Sequence, residues 1–186
     1  AHNMVYTGNI HKGAYANTRI GSTGYQFGNI VCSNNVYDVT TQLVFDIANP
    51  RNLIFSNNTL SRSGRSSTAR DNVLRIYTGA SGIIEDIFIQ GNIFDTPDTQ
   101  PTSTSSPRAH IDINNVGIIK RYSIQGNTFK GSEEPTHQPV LLRVNDNKTA
   151  LGVLSGNIMV NCKDPVISAG ADIVKFNNIW DGVLVV

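Results

Sequence analysis

Five charged residues stand in one repeated setting. Arg19, Asp46, Arg75, Asp112 and Arg143 immediately precede Ile20, Ile47, Ile76, Ile113 and Val144, each in a β-rich run. Neighbours in an extended chain point to opposite faces, so an inward apolar set implies an outward charged set. If the five runs are successive rungs about 4.8 Å apart, the charges form one line: Arg, Asp, Arg, Asp, Arg. Two chemistries fit such a line. The first is a series of ion pairs that fixes strand register, each exposed pair contributing roughly 0.2–1 kcal/mol. The second is acid–base catalysis on a saccharide. Asp46 and Asp112 would lie about 9.6 Å apart at the backbone. Inverting glycoside hydrolysis needs two carboxyl groups roughly 6.5–9.5 Å apart, with water between them. Arg75 and Arg143 on either side favour the ionised form of Asp112, which suits a base or nucleophile. The acid is then Asp46 or one of the loop carboxylates Asp95, Asp98, Glu133 and Glu134. Arg75, Arg143, His110 and Tyr77 are the expected carbohydrate-binding side chains, with Tyr77 the expected stacking platform.

These positions follow from a repeat. VYTGNIH, VCSNNVY, IFSNNTL, FIQGNIF, SIQGNTF, VLSGNIM and KFNNIW share a Gly-Asn or Asn-Asn pair. Their second asparagines are Asn9, Asn35, Asn58, Asn92, Asn127, Asn157 and Asn178, spaced by 26, 23, 34, 35, 30 and 21 residues. A period in this range marks a repeat architecture. Each repeat holds two short β-rich runs with period-2 alternation, and no stretch sustains a 3.6-residue pattern. A coil of this size cannot bury its apolar side alone, but stacked coils form a continuous core. Asparagine tolerates the left-handed backbone of a sharp corner, and stacked amides can hydrogen-bond from coil to coil.

With these motifs the whole chain resembles right-handed parallel β-helix proteins, the pectate-lyase-like superfamily that includes bacteriophage tailspikes. The resemblance implies an all-β, single-stranded parallel β-helix of about seven coils with an asparagine ladder, forming a single domain over 1–186. Complete members have more coils and capped ends, so the chain is expected to be a piece of a longer protein. The pectate-lyase Arg-x-Pro-x-x-Arg pattern and the polygalacturonase Asn-Thr-Asp, Asp-Asp and Gly-His-Gly signatures are missing, and no catalytic residue transfers by motif. The irregular, Ser/Thr/Asn/Gly-rich coils look most like the tailspike branch. That branch implies a trimeric depolymerase or receptor-binding domain acting on a bacterial surface polysaccharide, extracellular or on the virion tail. Glycoside hydrolysis is favoured over lyase chemistry. The alternatives are a bacterial polysaccharide lyase, hydrolase or epimerase, and a non-catalytic adhesin or spacer.

Composition narrows the field. The formal net charge is +1 and no basic run exists, which argues against nucleic acid as a partner. No apolar run reaches membrane-spanning length, so insertion is not expected. Cys32 and Cys162 are separated by four or five coils, too far for a disulfide; Cys32 takes the place of Phe55, Ile89, Ile124 and Leu154 and reads as an apolar filler. Four scattered histidines and two cysteines give no metal-ligand spacing, and no cofactor is expected.

Three insertions break the period: Ser61–Asn72, Asp95–Arg108 and Lys130–Pro139. All fall at one corner, between the asparagine and the next charged position. Stacked, they are expected to wall a groove beside the charged line. Val44, Val73 and Leu141 are expected to be exposed and to form subunit contacts.

Overall fold

Alternation in the sequence becomes alternation in burial. Leu74–Thr78 runs buried, half-buried, buried, half-buried, buried, and Ile87, Ile89 and Ile84 are enclosed along Ile83–Gln90. A computed structural model describes residues 3–22, 24–62, 73–79, 82–95, 109–115, 118–145, 150–164, 166–167 and 171–185. Most of the first two insertions, and Asp98 with them, lie outside the described residues.

Among the described residues the chain is all-β, built on long parallel sheets. One sheet orders the strands Met4–Thr7, Phe27–Ser33, Pro50–Ser56, Ile83–Gln90, Arg121–Gln125, Ala150–Ser155 and Ala171–Phe176, every neighbour parallel. The other begins as one broad surface, where Ile10–Ile20 pairs along Val36–Ala48. It then divides. Val36–Val39 pairs with Thr59–Arg62, and from there the order runs to Ile93–Asp95, Thr128–Lys130, Ile158–Val160 and Asn178–Trp180. Phe45–Ala48 pairs instead with Leu74–Tyr77, followed by Ala109–Asn115, Val140–Asn145 and Val166–Ile167. The division begins where the insertion 61–72 enters the chain. The last strand, Val183–Val185, departs from the pattern: it folds back antiparallel on Asn178–Trp180.

From the repeat of Asn58 to that of Asn157, each repeat thus gives one strand to each of three parallel series, and its strands pair with their equivalents in neighbouring repeats. Inside, Cys32, Phe55, Ile89, Ile124 and Leu154 stand in register, and Tyr37, Leu60, Phe94, Phe129 and Met159 form another enclosed row. Phe94 and Phe129 stack at 4.9 Å between ring centroids.

The two residues of each Gly-Asn or Asn-Asn pair divide the work of the corner. The first takes the left-handed backbone: φ is 70° at Gly8, 56° at Asn34, 53° at Asn57, 64° at Gly91, 60° at Gly126, 61° at Gly156 and 53° at Asn177. Both residues of the pair suit such a corner, and it is the first that occupies it. Glycine and asparagine are the residues for which it costs least. The second residue supplies the amide. Nδ2 of Asn9, Asn35, Asn58, Asn92, Asn127 and Asn157 each donates to Oδ1 of the next asparagine at 2.9–3.0 Å. The same Oδ1 atoms accept the preceding backbone N–H, so buried donors and acceptors are satisfied together.

Candidate functional site

The charged line forms as its spacing requires. Strand pairing sets Arg19 beside Asp46, Asp46 beside Arg75, Arg75 beside Asp112, and Asp112 beside Arg143. Ile20, Ile47, Ile76, Ile113 and Val144 lie in the core on the opposite side of the same strands. Arg75 and Arg143 each reach back one rung. Arg75 donates from Nε and Nη2 to Asp46 Oδ1 and Oδ2 at 2.8 and 2.7 Å. Arg143 does the same to Asp112 at 2.9 and 2.5 Å. Such forked pairs are the strongest ion-pair geometry. The hydrogen bond to Asp112 raises the Arg143 guanidinium above its ordinary value.

Both carboxylates are enclosed rather than open: Asp46 is 6% exposed and Asp112 1%. Alternation determines which side of a strand a residue occupies, not whether that side is covered. Enclosed and clamped at both oxygens, each aspartate is well suited to holding register.

His110 needs a correction. It was expected on the outward face, yet it is fully buried. Its ring lies 5.5 Å from that of Phe129 and 6.1 Å from that of Phe94, and its Nε2 is 3.5 Å from Cys162 Sγ. Val73 and Leu141 are likewise buried at 1%, which overturns their expected role in subunit contacts; Val44 is described only in its backbone. The cause is common to all three. Where the chain enters this series of strands, two consecutive residues face inward, as in Val73–Leu74, His110–Ile111 and Leu141–Leu142. The corner breaks the alternation on which the expectation rested.

Tyr77 does lie at the surface of this face, half-buried. The Arg75 guanidinium sits 4.7 Å from its ring centroid and that of Arg19 5.9 Å. The result is a partly open aromatic group flanked by two cations. Of the loop carboxylates, Asp95 pairs with Lys130 at 3.5 Å. Glu133 and Glu134 are exposed beside the short 3-10 turn Pro135–His137, and Glu134 Oε1 accepts from Thr136 Oγ1 at 3.1 Å. Among the described residues no group of three His, Cys, Asp or Glu could hold a metal ion. Both cysteines are free, and burial pushes each thiol up to about 12.

A second arrangement lies on the outer face of the all-parallel sheet. Counting back six residues from the first five asparagines gives Asn3, Asn29, Asn52, Asp86 and Arg121. Asn29 Nδ2 donates to Asn3 Oδ1 at 2.8 Å and Asn52 Nδ2 to Asn29 Oδ1 at 3.0 Å. Arg121 then forks onto Asp86 at 2.6 and 3.0 Å, and these hydrogen bonds lower the Asp86 carboxyl below its ordinary value. The signal for these residues was the asparagine register itself, read backwards. No family model matches the sequence, and neither a curated protein nor a solved structure matches it.

Proposed function

We propose that this chain is a right-handed parallel β-helix of about seven coils with an asparagine ladder, and that it grips a bacterial surface polysaccharide along its flank. Right-handed crossovers are the rule for parallel strands joined through another layer. In this reading it is the glycan-binding part of a tailspike-like trimer carried on a virion surface. The observation that supports it is the Arg19–Tyr77–Arg75 cluster. It stands on a rigid, repetitive face and offers cationic and aromatic contacts to an extended acidic glycan. Hydrolysis, if it occurs, engages Asp112 as base or nucleophile with Asp46 or a loop carboxylate as acid. The two forked arginine clamps favour gripping over cutting.

The test uses the intact protein with capsular or O-antigen polysaccharides from a panel of bacteria. Binding should be retained by the wild type and weakened at least tenfold by Arg19→Ala or Tyr77→Ala with the melting temperature unchanged. Released reducing ends would mark a hydrolase, and ultraviolet absorbance of unsaturated product a lyase. No binding by a folded trimer to any glycan would leave the spacer reading. A monomeric protein would remove the tailspike assignment.

A further inference from the structure

Four residues before each asparagine lies a second outward column: Val5, Val31, Ile54, Phe88, Ser123, Val153 and Val174. Strand pairing sets them side by side in that order. Six are apolar and one is serine. Between Phe88 and Val153 the column therefore lacks one large side chain, and a notch of about 230 Å³ opens there. Asp86, Phe88, Arg121, Ser123, Leu151 and Val153 line it. Two rungs of about 4.8 Å make it roughly one six-membered ring wide.

We propose that this notch binds a single neutral pyranose ring, its apolar face on Phe88 and its hydroxyls on the Asp86–Arg121 pair. Phe88 is 47% exposed, and Leu151 and Val153 complete apolar walls. A ring with one apolar face and a polar edge suits such walls. The forked pair sets an acceptor and a donor side by side on the rim, and sugar hydroxyls donate and accept at once. The pair's charges cancel. Asp86 disfavours an anion and Arg121 a cation, whereas an apolar protein side chain would leave the ion pair unused. Ser123 Oγ is covered and has no hydrogen-bond partner among the described residues. The notch lies on a different sheet from Arg19 and Tyr77, so it stands or fails apart from the groove proposed above.

The experiment is a nitrogen-15 amide titration of the folded protein with methyl glycosides of glucose, galactose, mannose, rhamnose and N-acetylglucosamine, to tens of millimolar. At least one should give saturable shifts at 86–88, 121–123 and 151–153, with a Kd on the order of millimolar, as expected of about a dozen non-hydrogen atoms. Ser123→Val puts into the column the residue already present at 153 and 174. It should fill the notch, keep the melting temperature and weaken binding at least tenfold, with the loss read at the amides of 86–88, 121–123 and 151–153. Three results overturn the proposal: no saturable shift at those amides with any probe, wild-type binding by Ser123→Val, or a change in sedimentation of Ser123→Val that assigns the notch to a second copy.

Discussion

Replacing Asp112 by asparagine separates catalysis from architecture. Asp112 is 1% exposed and its two oxygens accept from Arg143 at 2.9 and 2.5 Å. Asparagine keeps the shape and one acceptor but removes the charge, and it turns an NH2 toward a guanidinium donor. Removing one partner of a fully buried pair costs about 3–5 kcal/mol. The Arg143 side chain still has 18% of its surface exposed, so water recovers part of this and about 3 kcal/mol is expected. For a chain of this size that is a fall of roughly 6–12 °C in Tm. Asp46→Asn should cost less, about 2 kcal/mol, because the side chains of Asp46 and Arg75 are 8% and 23% exposed. The assay is urea unfolding with midpoint and slope fitted separately, beside reducing-end release from the bound glycan. A double-mutant cycle with Arg143→Gln should give a coupling energy above about 1 kcal/mol. A loss below about 0.5 kcal/mol would refute the clamp. Lost cleavage at unchanged stability would instead establish Asp112 as catalytic.

Four further outcomes are expected. Asn92→Ala removes the acceptor of Asn58 N and Nδ2 and a donor to Phe55 O, all buried; it should cost about 3–5 kcal/mol, against about 1 for the half-buried end residue Asn9, and equal costs in urea would contradict the amide column. With both thiols pushed up to about 12, about one in ten thousand is ionised at pH 8, so a thiol-specific disulfide reagent should react with Cys32 and Cys162 only after denaturation. Asp86 has a folded value held below the ordinary 3.8 by Arg121, so the unfolded chain takes up the proton first; its stabilisation is present above about pH 4 and is lost as pH falls further, and Arg121→Gln should flatten that part of the urea midpoint–pH curve. His110→Leu installs the residue found at the equivalent Leu141 and should leave glycan cleavage and binding unchanged, with Tm equal or higher, whereas a specific loss of either would mean that the buried imidazole has a functional role.

The parallel all-β architecture was legible because a repeat constrains every copy at once. Seven asparagine positions align the runs, and alternation within each run then names the inward residues. The order Arg19, Asp46, Arg75, Asp112, Arg143 followed from counting alone. What counting could not give was cover. Asp46 and Asp112 are on the outer side of their strands yet enclosed, and nothing in period-2 spacing encodes what lies above a strand. His110, Val73 and Leu141 were misplaced for a different reason: a corner turns two consecutive residues inward, and alternation carries no mark of where a corner begins. The Asp86–Phe88–Ser123 group is encoded in the same register. Its members sit six and four residues before an asparagine, so the register that places the charged line places them too.

A repeat also separates the residues that build the protein from those free to do something else. The amides from Asn9 to Asn178 recur at every rung because each satisfies its neighbour, and any exception would leave a buried polar atom unpaired. The alternating arginines and aspartates recur for a similar reason, since each aspartate sits between two cations in register. The aspartates of that line are poorly placed to serve a ligand, which would have to compete with the arginine already bound. The exceptions carry the opposite implication. Ser123 interrupts a column of valine, isoleucine and phenylalanine, and stability does not require it, because Val153 and Val174 fill the same place one and two rungs on. Tyr77 stands in register with Ala48 and Asn114, so neither packing nor register demands an aromatic ring there. Positions where the column departs from its own rule without a structural need, Ser123 on one sheet and Tyr77 on the other, are therefore where binding chemistry is best sought.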